Sequence, residues 1–205
     1  MKVGLWIGGR KGHPFKKAQK HLSRILKGHD SIELVEYTSQ DFLTNSNLTH
    51  LRLLVTYTQG GTLSGDEVAA LVEFVKSGGA IIGIHGATAS FKKNPRYHEL
   101  LGGKFTGHGL PRKIKVKILD SNHEITMDVD DFTIKDEPYN HDLLEDEIHV
   151  LVTRNDKNKQ EPMAWTRDFG EGKVIYIAFG HFGKCFKNPN FVKLVNNAIN
   201  WSLGK

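Results

Sequence analysis

Gly83-Ile84-His85-Gly86-Ala87 closes the apolar run Ala80-Ile81-Ile82 with a Gly-x-His-x-Ala turn. In other α/β enzymes a strand-to-helix turn of this form holds a strained Ser or Cys nucleophile, exposed near backbone donors. A histidine there cannot form the usual acyl-enzyme. His85 is therefore expected to act as base, acid, hydrogen-bond partner or metal ligand. Two more histidines sit where apolar strands should end, His13 after the first strand and His181, in Phe179-Gly180-His181, after the last strongly apolar one. His108 ends the run Gly102-Gly103-Lys104-Phe105-Thr106-Gly107-His108, whose glycines allow a tight path that aims it inward. Asp136-Glu137-Pro138-Tyr139 supplies carboxylates and a phenol, although an acidic pair before Pro reads first as a solvated turn.

Several imidazoles near one carboxylate suit proton transfer on a sugar, or ligation of a divalent metal such as zinc. His85, His108 and His181 are the candidate ligands. No HExxH motif and no cysteine cluster adds to the metal reading, and no cofactor is implied with certainty. Neither GxGxxG nor GxxxxGK[ST] occurs, so nucleotide binding has no support. Cys185 lies close to His181 in sequence but outside the turn, and it reads as a small loop or core thiol, dispensable for activity.

Positioning these residues requires strands that end at one edge. Residues 2–7 read as a strand, followed by helical spacing of Phe15, Ala18, Leu22, Ile25 and Leu26. Residues 31–37 and 51–57 read as further strands, the latter nearly without a polar face, which suits burial on both sides. Ser64-Gly65-Asp66-Glu67 has the form of a capping box, and Val68, Leu71, Val72 and Val75 give the helix behind it an inward face. Residues 80–84 follow as a buried strand. Such alternation predicts a parallel sheet with helices on both faces, with ligands at the strands' carboxyl ends, after Ile7, Tyr57 and Ile84. Residues 113–119, 149–154, 163–168 and 173–179 add strands, with a hairpin turn over 168–172 that makes some of them antiparallel. A last helix carries Phe191, Leu194, Val195, Ala198, Ile199 and Trp201, with Asn190 as its expected N-cap.

With 205 residues, 39% of them hydrophobic and no composition break, the chain reads as a single domain, 1–205, with an ample core. One cysteine and no leader-like N-terminus point to a reducing cytoplasm, and no apolar run approaches a membrane span. The net charge is +5, but its lysines are scattered. Arg10-Lys11, Lys16-Lys17 and Lys92-Lys93 are short runs, and Lys113, Lys115 and Lys117 fit the outward face of a strand, so nucleic acid is not an expected partner.

Taken in order, these pieces resemble the ThuA-like, or trehalose-utilisation, family. The resemblance rests on Gly60-Gly61-Thr62-Leu63, Phe74-Val75-Lys76-Ser77-Gly78-Gly79, Gly83-Ile84-His85, the stretch from Tyr97-His98-Glu99-Leu100 to Gly107-His108, Asp136-Glu137-Pro138-Tyr139, Ala164-Trp165-Thr166-Arg167, Gly170-Glu171-Gly172-Lys173-Val174 and Gly180-His181. It implies a flavodoxin-like, class I glutamine amidotransferase-like three-layer α/β sandwich, mostly parallel with added antiparallel strands. In it His85 replaces the nucleophilic Cys and amidotransferase activity is lost. Carried over by motif, the family's pocket positions fall on His13, His85, His108, Glu137 and His181. The resemblance also implies use of trehalose or a related disaccharide, oxidised 3-keto sugars included. His85, Glu137 and His181 are then the expected catalytic set. His13, Tyr57, His108 and Tyr139 are the expected binding residues for a small sugar, with self-association left open. The rival reading is a non-catalytic sugar-binding or regulatory module on a scaffold that lost its nucleophile.

Overall fold

The computed structural model describes residues 1–9, 12–156 and 159–205. The short basic run Arg10-Lys11 lies outside the described residues. Where the sequence is apolar on both faces, the strand is buried on both. β3 (Leu53–Gln59) is covered up to its last residue and β4 (Ala80–Ile84) throughout. They pair in parallel with each other, and β1 (Lys2–Gly9) lies between β3 and β2 (Glu33–Tyr37). β11 (Gly172–Ile177) joins the other side of β4, also in parallel. The resulting order β2-β1-β3-β4-β11 is the doubly wound, flavodoxin-like one.

Beyond β11 the sheet turns antiparallel through β10 (Lys159–Phe169), β9 (His149–Asp156), β6 (Arg112–Ile118) and β7 (Phe132–Asp136), making nine strands. The β10–β11 hairpin turns at Gly170, where φ is +64° and an added Cβ would stand 2.7 Å from the Lys76 carbonyl oxygen, leaving no place for a side chain. Lys113, Lys115 and Lys117 lie on the solvent face of β6 while Ile114 and Val116 point inward, the alternation expected of a half-covered strand. A separate ribbon pairs β5 (Gly103–His108) with β8 (Tyr139–Leu143), and its register sets His108 opposite Tyr139.

Helices cover both faces. α1 (Phe15–Lys27) packs against α5 (Pro189–Ser202) on one, while α2 (Asn45–Leu48), α3 (Gly65–Lys76) and α4 (Pro95–Leu101) pack together on the other. The capping box of α3 forms as expected: Glu67 N donates to Ser64 Oγ at 3.2 Å and Ser64 N to Glu67 Oε2 at 2.6 Å. Behind that helix, any side chain at Gly79 would meet the Phe74 ring at 2.3 Å. Buried residues from β1 through α5 form one continuous core.

One expectation is corrected. The N-cap of α5 is Asn188, not Asn190. Its Oδ1 accepts from the backbone N–H groups of Asn190 and Phe191, each at 3.1 Å. Pro189 takes the first helical position, where its missing N–H costs nothing and its fixed φ suits the helix. The Asn188 side chain also donates to Thr133 O at 3.2 Å, tying the helix start to β7. Asn188→Ala should cost about 1 kcal/mol or more of unfolding free energy in urea, within the range for a lost N-cap, and Asn190→Ala clearly less.

Candidate functional site

Three turns at the carboxyl edge of the parallel strands bring together the residues singled out by their types. His85 begins a 3-10 turn, His85–Ala89, with φ of +48°, a left-handed backbone that costs a non-glycine residue about 1–3 kcal/mol. The next residue must be glycine. A Cβ at Gly86 would stand 2.4 Å from the Thr58 carbonyl of β3. The strand-to-helix turn read from Gly-x-His-x-Ala is therefore present, and it is sharp. Tyr176 OH braces it by donating to the His85 carbonyl at 2.7 Å, and Thr88 Oγ1 donates to Tyr176 OH at 2.9 Å.

His85 is wholly buried, and both ring nitrogens have assigned neighbours. Nδ1 lies 2.8 Å from the Ala178 carbonyl. A carbonyl only accepts, so Nδ1 carries the proton and Nε2 presents a lone pair. Nε2 faces Tyr139 OH at 3.1 Å and Glu137 Oε2 at 3.7 Å. Burial pushes the imidazole well below its ordinary pKa, further than the Ala178 bond can offset, so it stays neutral.

His13 and His181 close over it, with ring centroids 5.1 and 5.4 Å from that of His85 and 5.1 Å from each other. Burial, then the neighbouring His181 and His108, lowers the His13 pKa to about 4. His181 is lowered by burial and only partly restored by Glu137. Glu137 is buried among the imidazoles, with Oε2 3.2 Å from His181 Nδ1 and Oε1 3.7 Å from His108 Nδ1. His108 is the exposed member, its side chain 41% accessible against 18% for His181. Solvent reaches the cluster past those two rings. His85 thus lies under a cover of side chains rather than on the floor of an open pocket. Cavities of 320, 460 and 680 Å³ open elsewhere, two of them along α2 and α3.

The structure therefore gathers His13, His85, His108, Glu137, His181 and Tyr139 at one place. Tyr57 is beside them but spends its hydroxyl on the Gly180 carbonyl, at 2.8 Å, which secures the turn before His181. Within metal-ligand reach the set is His13, His85 and His181, so His13 stands where the sequence suggested His108.

Asp136 had no role assigned from sequence, and the solvated turn expected around it is corrected. Asp136 is fully buried and Glu137 nearly so. The Asp136 carboxylate accepts from Gly180 N at 2.6 Å, from His181 N at 3.1 Å and from Glu137 N at 2.9 Å. It thereby places both a histidine and the glutamate. Burial raises its pKa to about 6, against the pull of those backbone donors. The signal was the alternation of β7, which puts Asp136 on the inward face with Ile134. Cys185 Sγ lies 3.3 Å from the same carboxylate, and burial with that negative neighbour pushes its thiol up, away from nucleophilic thiolate. His141 was also missed. Its Nε2 lies 3.2 Å from Thr88 Oγ1 and 3.3 Å from Tyr176 OH, on the network that braces the turn.

The family model described as ThuA, trehalose utilisation, matches residues 2–202. The chain belongs to the ThuA family. Solved structures agree on the fold of this ThuA-family chain. A ThuA-like protein from Bacteroides uniformis is 18% identical, with a TM-score of 0.83 over 100% of this chain and 92% of that one. One from Parabacteroides merdae is 17% identical, with a TM-score of 0.84 over 100% and 91%. A cytoplasmic protein from Salmonella typhimurium is 14% identical, with a TM-score of 0.73 over 98% and 99%. No curated protein matches the chain at a significant level. Among the described residues, no helix is long and apolar enough to cross a membrane.

The buried imidazoles give the ThuA-family fold a definite acid sensitivity. His141 is lowered to about 3, His13 and His98 to about 4, in each case chiefly by burial. Unfolded, each titrates near 6.5, so between that value and the folded pKa the unfolded chain binds more protons and stability falls as pH falls. Asp136, raised to about 6, acts oppositely between about 4 and 6, but one acid stands against several histidines. The melting temperature should therefore decline from pH 7 to pH 4.5, and the decline should be shallower in His141→Asn, as read by calorimetry.

Proposed function

We propose that this chain is a cytoplasmic carbohydrate-processing protein that acts on trehalose or a related disaccharide, 3-keto forms included, by proton transfer at the His85 turn. Family membership supports the carbohydrate role. The observation that supports chemistry is a buried carboxylate, Glu137, ringed by three imidazoles, at the edge where doubly wound sheets bind ligands. A neutral sugar held by binding alone needs no such grouping of titratable groups.

The roles differ by environment. His181 is partly exposed and hands on to the buried Glu137 carboxylate 3.2 Å away, so the pair can exchange a proton with a sugar hydroxyl brought to that edge. His85 is a poor proton acceptor, since its cation would be buried without water. Its part is to orient, through the Nε2 lone pair, Tyr139 OH or a ligand group brought beside it. His108, the most exposed of the set, stands at the entry with Tyr139 behind it, suited to contact the sugar. His13 and Tyr57 line the inner side. The imidazole in the turn and the protonated Cys185 leave no thiolate for amidotransferase chemistry.

The test is incubation with trehalose, sucrose and 3-ketotrehalose, with products followed by NMR. Wild type should turn over at least one. Glu137→Gln should lose roughly 10²-fold or more in rate while still binding the sugar, as for loss of a general acid or base. Binding without turnover in wild type would favour the non-catalytic module. Neither binding nor turnover of any of the three would remove the disaccharide reading.

A further inference from the structure

Three of the six ring nitrogens of His13, His85 and His181 are buried without a hydrogen bond among the described residues. They are both nitrogens of His13 and Nδ1 of His181. His181 Nδ1 lies 3.2 Å from Glu137 Oε2, but out of alignment for one. Each such group gives up its hydrogen bonds to water without replacement, so three at one spot call for something polar between them. His85 contributes the opposite arrangement. Its Nδ1 is tied to the Ala178 carbonyl, and its Nε2 lone pair, which accepts from Tyr139 OH at 3.1 Å, lies within 4.8 Å of a nitrogen of His13 and of His181 and would exchange that hydroxyl for a metal. A backbone carbonyl on the far nitrogen is the usual way a metal-binding histidine is held in tautomer and orientation.

We propose that His13, His85 and His181 hold one divalent transition-metal ion, with zinc the best match to the donors. Each offers a nitrogen, and these lie within 4.8 Å of one another. Zn–N bonds of about 2.1 Å in a tetrahedron require roughly 3.4 Å between donors, a closure of at most about 1.4 Å that falls to the His13 and His181 rings, since the Ala178 bond fixes His85. The three come from the exits of β1, β4 and β11 at one sheet edge, with β4 and β11 neighbours and β1 beyond β3, so the fold itself sets their convergence. All three are neutral near pH 7, the form that ligates. Imidazole donors without thiolate or multiple carboxylates favour zinc over calcium or magnesium.

Three protein ligands leave one position open, as in catalytic rather than structural zinc sites. Glu137 stands beside it, 3.7 Å from His85 Nε2, placed to accept a hydrogen bond from a water there. His108 lies 3.7 Å from Glu137 and outside the ligand set. The inference uses the same site as the sugar reading but does not depend on which substrate binds.

The experiment is zinc titration of chelator-treated, full-length protein by calorimetry, with cobalt absorption reporting ligand geometry. Wild type should bind one zinc and melt at a higher temperature when loaded. His13→Gln, His85→Asn and His181→Gln should each lose roughly 10²-fold or more in affinity, and His108→Gln should stay within a few-fold. Circular dichroism confirms that each variant folds, and Asn at position 85 suits the left-handed backbone. No zinc binding by folded wild type would overturn the proposal. So would equal binding by all three variants, or a loss at His108→Gln that matches theirs. Sugar turnover by protein shown to be metal-free would remove the metal and leave the sugar reading intact. Zinc binding without turnover would do the reverse.

Discussion

The hydrogen bond from His85 Nδ1 to the Ala178 carbonyl ties the end of β4 to the chain leaving β11, and the site is arranged around it. It decides which nitrogen bears the proton, and so which face of the ring can accept. It also holds the side chain of a residue whose backbone is strained, at φ of +48°. That strain persists because neighbours over-determine the turn: Gly86 against the Thr58 carbonyl, Tyr176 on the His85 carbonyl, Thr88 on Tyr176. Remove the carbonyl partner and the imidazole is free to flip, which would turn the lone pair away from Tyr139 and Glu137.

Asp136 does for the opposite wall what Ala178 does for His85. A buried carboxylate is costly by itself, yet three backbone N–H groups compensate it, and those donors belong to Glu137, Gly180 and His181. The carboxylate thus joins two loops from distant parts of the chain. One strand exit carries the glutamate, the other the histidine beside it. Tyr57, hydrogen-bonded to the Gly180 carbonyl from β3, secures the same turn from beneath. The arrangement of the candidate site thus rests on two buried polar groups set behind it, Asp136 and Tyr57.

Local rules carried much of this. The capping box at Ser64 and the turn at His85 are short-range patterns, and burial on both faces of β3 and β4 follows from their apolar runs. The cap of α5 falls on Asn188 rather than Asn190 because Pro189 suits the first helical position, which puts the capping side chain immediately before it. Asp136 and His141 were less legible. Their partners lie 44 and 35 residues away, at Gly180 and Tyr176, and no local pattern encodes such pairing. The choice of His13 over His108 beside His85 is of the same kind, since it depends on how the β5–β8 ribbon seats against the sheet edge.

The protonation state of one ring carries the whole account. Long-range nitrogen–proton NMR correlation of the imidazoles, across pH 5 to 8 in the chelator-treated protein, reads it directly. The account predicts that His85 shows a protonated Nδ1 and a bare Nε2 at every pH in that range, with no titration. A His85 ring protonated on Nε2, or one that becomes a cation within this range, would contradict it.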